Sequence, residues 1–178
     1  MYFRKLMYLL KKIYEKKRSK SAPYYYNYSI FTIIKKILRK WITQSLAPNC
    51  VFNCIRIYLY KLCGFKIGKN VFIGMKCYLD DMCYDLITIE DNVIISYGVY
   101  FACHGKNQGH YPIKIKNKAY IGMRANIISK NADGSEHGVC IGEYAVVGAC
   151  TLVNRDVPNG MTAVGIPCRI ISSKLING

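Results

Sequence analysis

The chain has 178 residues, 52% of them apolar, and a net charge of +16. That is enough apolar material for one sizeable core, and it excludes wholesale disorder. No run long enough to span a bilayer is both uncharged and apolar, so a membrane-spanning helix is not expected, and Lys11 and Lys12 break the first apolar run without a small-residue cleavage pattern after it, so neither is a signal peptide.

The charge is unevenly placed. Residues 1–66 carry +14, with Glu15 the only acid, whereas residues 67–178 carry +2. A nucleic-acid-binding domain would hold its basic stripe on the folded surface. Here the basic character belongs to the N-terminal part, and no nucleic-acid partner is expected. Nine cysteines form no CxxC pair and no zinc-ligand spacing, which reads as small buried thiols in a reducing compartment with no metal.

Residues 3–14 set Phe3, Leu6, Met7, Leu10, Ile13 and Tyr14 at helical spacing, with lysines off that stripe. Ser19 to Ser29, with Pro23 and four tyrosines, reads as a linker. A second basic amphipathic helix follows: Ile30, Ile34, Ile37, Leu38 and Trp41 form its stripe, flanked by Lys35, Lys36, Arg39 and Lys40. Such helices suit an anionic lipid surface, or they pack on the rest of the protein or a sister subunit. Residues 50–63 predict a further helix ended by Gly64.

From Ile67 the period is six. Ile67, Ile73 and Leu79 begin a series continued by Ile89, Ile95 and Phe101, then Ile115, Ile121 and Ile127, then Ile141, Val147 and Val153. The fifth position of each hexad is small or β-branched, from Val71 and Cys77 through Ala119, Ala125 and Ala145 to Val157. One hexad is a short strand plus a turn, and three hexads close a triangular storey. Anchors point inward, storeys stack at about 4.8 Å, and Asn70, Asn92 and Asn117 suit left-handed turn angles. The predicted organisation is a basic helical arm at 1–46, a helical lead-in at 47–66, an all-β solenoid of four to five coils at 67–158, and an exit at 159–178.

The register slips between Phe101 and Ile115, and again between Ile127 and Ile141, where the interval exceeds two hexads. The first excursion contains His104 and His110; the second is Asn131 to Gly138. Asp80, Asp81 and Asp85 interrupt the repeats after the first coil. Loops on a rigid scaffold are where function concentrates.

The hexads, with Val147-Gly-Ala-Cys-Thr-Leu-Val-Asn-Arg-Asp-Val-Pro and Ala163-Val-Gly-Ile-Pro-Cys-Arg-Ile-Ile, resemble the hexapeptide-repeat acyltransferases over about 67–171, in particular the maltose, galactoside and surface-polysaccharide O-acetyltransferases. The resemblance implies a left-handed parallel β-helix that transfers acetyl from acetyl-CoA to a sugar hydroxyl, as in capsule or lipopolysaccharide biosynthesis. It implies a homotrimer with each site between two subunits, and a cytoplasmic location or a peripheral one on the inner membrane face.

An alcohol is a poor nucleophile, and histidine is suited to take its proton. The resemblance points to His104 as this base, with His110 as the competing candidate or a lining residue of the acceptor pocket. It places Asp85, then Asp80, with Asp81, at substrate. A groove of small residues, Gly122, Ala125, Gly148 and Ala149, suits the pantetheine arm, and Arg155, Arg169 and Lys174 suit the cofactor phosphates by charge; the resemblance also sets Arg155 and Arg169 at the nucleotide end. Two rivals are an N-acetyltransferase of an amino sugar or antibiotic, which would use the same base, and a non-catalytic membrane-surface scaffold. The zinc-dependent γ-type carbonic anhydrase does not fit the order and spacing of the three histidines.

Overall fold

The computed structural model describes residues 2–104, 109–129 and 137–172. It divides into two compact units, Met1–Lys40 and Trp41–Gly178. The arm expected at residues 1–46 extends past the end of the first unit at Lys40. Among the described residues, no helix is long and apolar enough to cross a membrane.

The first unit contains α1 (Tyr2–Arg18) and α2 (Ile30–Trp41) as far as Lys40. Lys16, Lys17 and Arg18 close α1, where positive charge meets the negative end of the helix dipole. Ser29 caps α2, its Oγ accepting from the Thr32 N–H at 3.2 Å. The expected linker is structured. Residues Tyr24–Asn27 form a 3-10 turn, the Tyr26 ring lies 5.6 Å from that of Tyr14, Lys11 Nζ donates to Asn27 Oδ1, and Lys36 Nζ donates to the Tyr28 hydroxyl.

The second unit opens with a π-helical turn (Ile42–Leu46), α3 (Ala47–Asn49) and α4 (Asn53–Leu62). Among the described residues, fourteen strands follow. They are β1 (Lys66–Ile67), β2 (Phe72–Ile73), β3 (Tyr78–Leu79), β4 (Ile87–Ile89), β5 (Ile94–Ile95), β6 (Tyr100–Ala102), β7 (Ile113–Ile115), β8 (Tyr120–Ile121), β9 (Asn126–Ile128), β10 (Val139–Ile141), β11 (Val146–Val147), β12 (Leu152–Val153), β13 (Met161–Val164) and β14 (Arg169–Ser172).

As far as β12, each sheet takes every third strand. The first runs β1-β4-β7-β10, the second β2-β5-β8-β11-β13 with β14 at its edge, and the third β3-β6-β9-β12. All pairings are parallel except β13 with β14. The anchors fall in vertical rows: Ile67, Ile89, Ile115 and Ile141 in the first sheet, Ile73, Ile95, Ile121 and Val147 in the second, and Leu79, Phe101, Ile127 and Val153 in the third. All twelve are 9% exposed or less. The fifth strand level, β13, lies beyond the expected end at residue 158.

The turn angles hold at Asn70 and Asn92, with φ near +51° and +56°, but at the third expected turn the left-handed residue is Lys118 and not Asn117. Asn117 instead bridges storeys: its Oδ1 accepts from the Asp91 N–H and its own N–H donates to Glu90. The lower end of the stack is closed by α4. Asn53 pairs with both Val71 O and the Ile73 N–H, the buried Arg56 donates to Ile73 O and Cys50 O, and the Tyr60 hydroxyl donates to Cys77 O. Apart from the one to Cys50, these bonds occupy backbone groups in or beside the first strands that an open stack would leave unpaired.

Candidate active site

In the first sheet, the intervals between the anchors Ile67, Ile89, Ile115 and Ile141 are each longer than the three hexads of an uninterrupted storey. The surplus falls each time between the third sheet and the first: after β3, after β6 and after β9. All three excursions therefore leave the stack at one corner of the triangle. The parallel register brings together residues that lie a whole storey apart in sequence.

After β3 the chain turns through a 3-10 segment, Asp81–Leu86, capped by Asp80, whose Oδ1 accepts from the Met82 N–H at 3.1 Å. One storey above, after β6, the chain reaches Cys103 and His104. Asp80 Oδ2 accepts the Cys103 N–H at 3.1 Å and meets His104 Nδ1 at 2.5 Å. The Asp80 side chain is fully buried, while that of His104 is 43% exposed. With a carboxylate at Nδ1, the proton sits on Nδ1 and the Nε2 lone pair is free to accept one. The pair is an imidazole fixed from behind by a buried acid, with its other nitrogen left to act.

Asp80 was expected to face substrate, yet both its oxygens are engaged inward, so it positions His104 instead. The sequence carries a signal for this role: Leu79 and Phe101 are partners in register, so the residues just after them leave the sheet together. Asp81 accepts from Gln44 Nε2 at 3.1 Å, and Asp85 is exposed on the same 3-10 segment. His110 pairs with His104 across an antiparallel bridge, and the Tyr111 N–H donates to Cys103 O, so both histidines stand at the neck of the excursion. Residues 105–108 of the first expected loop and 130–136, which include most of the second, lie outside the described residues, as does Lys174.

Cys103, beside His104, is fully buried, and burial together with Asp80 pushes its thiol far above the usual range. It is a core residue, not a nucleophile. Tyr78 and Tyr100 stack on the outer face of the third sheet, ring centroids 4.3 Å apart and planes within 9°. Burial, then Asp80, raises the Tyr78 hydroxyl well above the ordinary tyrosine range, so it stays a neutral phenol.

The expected cofactor groove divides. Ala125 is fully buried, its methyl filling the interior corner, and it lines no groove. Gly122 serves the stack: a Cβ there would lie 2.6 Å from the Ala149 backbone nitrogen one storey up. Gly148 is half-buried, and Ala149, Arg155 and Arg169 are exposed. Among the described residues, no cluster of three or more metal-binding side chains forms.

No family model matches the chain. It is 31% identical over 143 residues to the Bacillus subtilis protein named "Putative acetyltransferase YvoF", an alignment covering 78% of each chain. It is 32% identical over 124 residues to the galactoside O-acetyltransferase of Escherichia coli, covering 60% of this chain and 56% of that one, so it spans little more than half of that relative's length. Among solved structures it resembles a hexapeptide-repeat-containing acetyltransferase of Vibrio cholerae, with a TM-score of 0.60, 22% identity and 82% and 93% of the two chains covered. It also resembles a galactoside acetyltransferase in complex with coenzyme A, with a TM-score of 0.57, 24% identity and 82% and 83% covered. The three-sheet stack, its hexad anchors and the identity to these relatives converge on one assignment: the chain belongs to the hexapeptide-repeat acetyltransferases.

Proposed function

We propose that this chain is an acetyl-CoA-dependent O-acetyltransferase acting on a sugar hydroxyl, in the biosynthesis of a surface polysaccharide such as capsule or lipopolysaccharide. The observation that carries the reading is the 2.5 Å contact between Asp80 and His104 at the corner where the excursions leave the stack. His104 Nε2 takes the hydroxyl proton as the sugar oxygen attacks the thioester carbonyl. Asp80 holds the ring in the reactive tautomer and stabilises the positive charge that develops on it. The carbon–sulfur bond then breaks, and His104 returns the proton to the departing thiolate.

His110 and Asp85, both exposed at this corner, are assigned to the sugar. Gly148 and Ala149 leave room for a pantetheine arm, with Arg155 and Arg169 as candidates for the phosphates. The coil is read as left-handed, as the family resemblance implies. Phe72, Ile94 and Tyr120 form an outward apolar row on the second sheet, 45%, 45% and 42% exposed, which supports a homotrimer with shared sites. The basic arm keeps the enzyme at an anionic membrane surface, where a lipid-linked glycan is met.

The test is coenzyme A release from acetyl-CoA across a panel of sugar acceptors, with products identified by mass spectrometry. Acetylation of a hydroxyl that disappears in His104→Ala is the expected result. Acceptor-dependent release at equal rates in both proteins removes His104 from the mechanism.

A further inference from the structure

α2 differs from every other helix in the described chain. At 100° per residue, Ile30, Phe31, Ile34, Ile37, Leu38 and Trp41 share one continuous arc, and Lys35, Lys36, Arg39 and Lys40 occupy the other side. None of its residues is buried. Phe31 is 80% exposed, Ile37 64%, Trp41 55%, Leu38 54% and Ile34 52%. On α1, by contrast, Lys17 falls within the arc of Leu6, Leu10 and Ile13, and Glu15 adds an acid.

We infer that α2 is an in-plane interfacial helix whose apolar arc enters the acyl boundary of an anionic phospholipid leaflet, with its four cations at headgroup level. This rests on the membrane-surface reading above and goes further by naming the helix and the side chains that enter lipid. The choice of occupant follows from charge. Residues 1–40 hold twelve lysines and arginines against one glutamate, so a second copy of the arm would bring a like field to the face, whereas an anionic leaflet neutralises it. The Ser29 cap fixes the helix start by a local bond, so the face is built within the chain itself.

Trp41 is the only tryptophan in the chain, and it lies on the proposed face. The full chain is mixed with vesicles of phosphatidylcholine, or of phosphatidylcholine with phosphatidylglycerol, and Trp41 emission and sedimentation are both read. A blue shift with the anionic vesicles only, quenched by acyl-brominated lipid, is expected. Ile37→Ser should weaken vesicle affinity by about tenfold or more, since a buried isoleucine is withdrawn from the apolar layer.

Sedimentation with anionic vesicles while Trp41 emission stays unshifted and unquenched would overturn this inference and leave the membrane-surface reading standing. Absence of sedimentation would overturn both. An equal blue shift on phosphatidylcholine alone, or one that grows with protein concentration without lipid, would replace the anionic leaflet by neutral lipid or a second copy and so overturn the assignment.

Discussion

Ile121 and Ile37 carry the same side chain into opposite surroundings. Ile121 is fully buried in the second sheet, whereas Ile37 is 64% exposed on α2. Both regions are rich in isoleucine, and each keeps a regular apolar spacing. The difference lies in what the spacing closes upon. Anchors at the head of each hexad meet two further faces of the same triangle and the storeys above and below, so the chain supplies its own cover. A helical arc presents one stripe, and in the described arm that stripe has no comparable cover. Hydrophobicity by itself therefore does not decide burial; closure of the local geometry does.

The contrast can be tested at its most functional point first. His104→Ala is expected to lower the turnover of sugar acetylation by about 10²–10⁴-fold, the usual contribution of a general base, with the thermal unfolding midpoint little changed. Asp80→Asn should lower kcat more than KM and alter the pH profile, as expected of a residue acting through the imidazole. Loss of folding alone would not produce that separation.

Next come the two isoleucines themselves. Ile121→Ala is expected to cost about 2–5 kcal/mol in denaturant unfolding, and Ile37→Ala less than about 0.5 kcal/mol. Equal losses would mean that the arm is packed as tightly as the stack. Gly122→Ala should destabilise by about 1–3 kcal/mol, because the added methyl meets backbone of the next storey at 2.6 Å.

The smallest effect concerns thiols. Cys54 and Cys150 are exposed and should react first with an alkylating reagent, while Cys83 and Cys103 stay protected until unfolding. Burial holds the Cys83 thiol up to about 12 against an ordinary 9, so between those values the unfolded chain ionises it and the folded chain does not. Stability should accordingly fall as pH rises from 9 towards 12, a trend that Cys83→Ser would reduce.

The spacing of the anchors made the coil legible, because in a stacked triangle each anchor's surroundings repeat the pattern of its own neighbours. The placement of His104 in an excursion was legible for the same reason: a slip in a strict period marks chain that leaves the scaffold. The role of Asp80 was less accessible. As one of three aspartates in a turn it resembles a solvated residue, and only stacking turns it into the buried partner of an imidazole 24 positions later. Ala125 went the other way. A small residue fits a ligand groove or a crowded interior corner equally well, and backbone direction settles which it fills. Arg56 reads as another cation of the basic N-terminal third, yet it is 2% exposed and closes the base of the stack through carbonyl groups.

The sequence by itself determined the six-residue period, the inward residues, the helical character of the arm and the position of the histidine-bearing excursion, since each follows from local spacing and side-chain size. Only the tertiary structure decided which acid faces His104, that all three excursions share one corner, and which small residues are walled in. Those are properties of register between storeys, and register is set by parallel hydrogen bonding among strands that lie a whole storey apart along the chain.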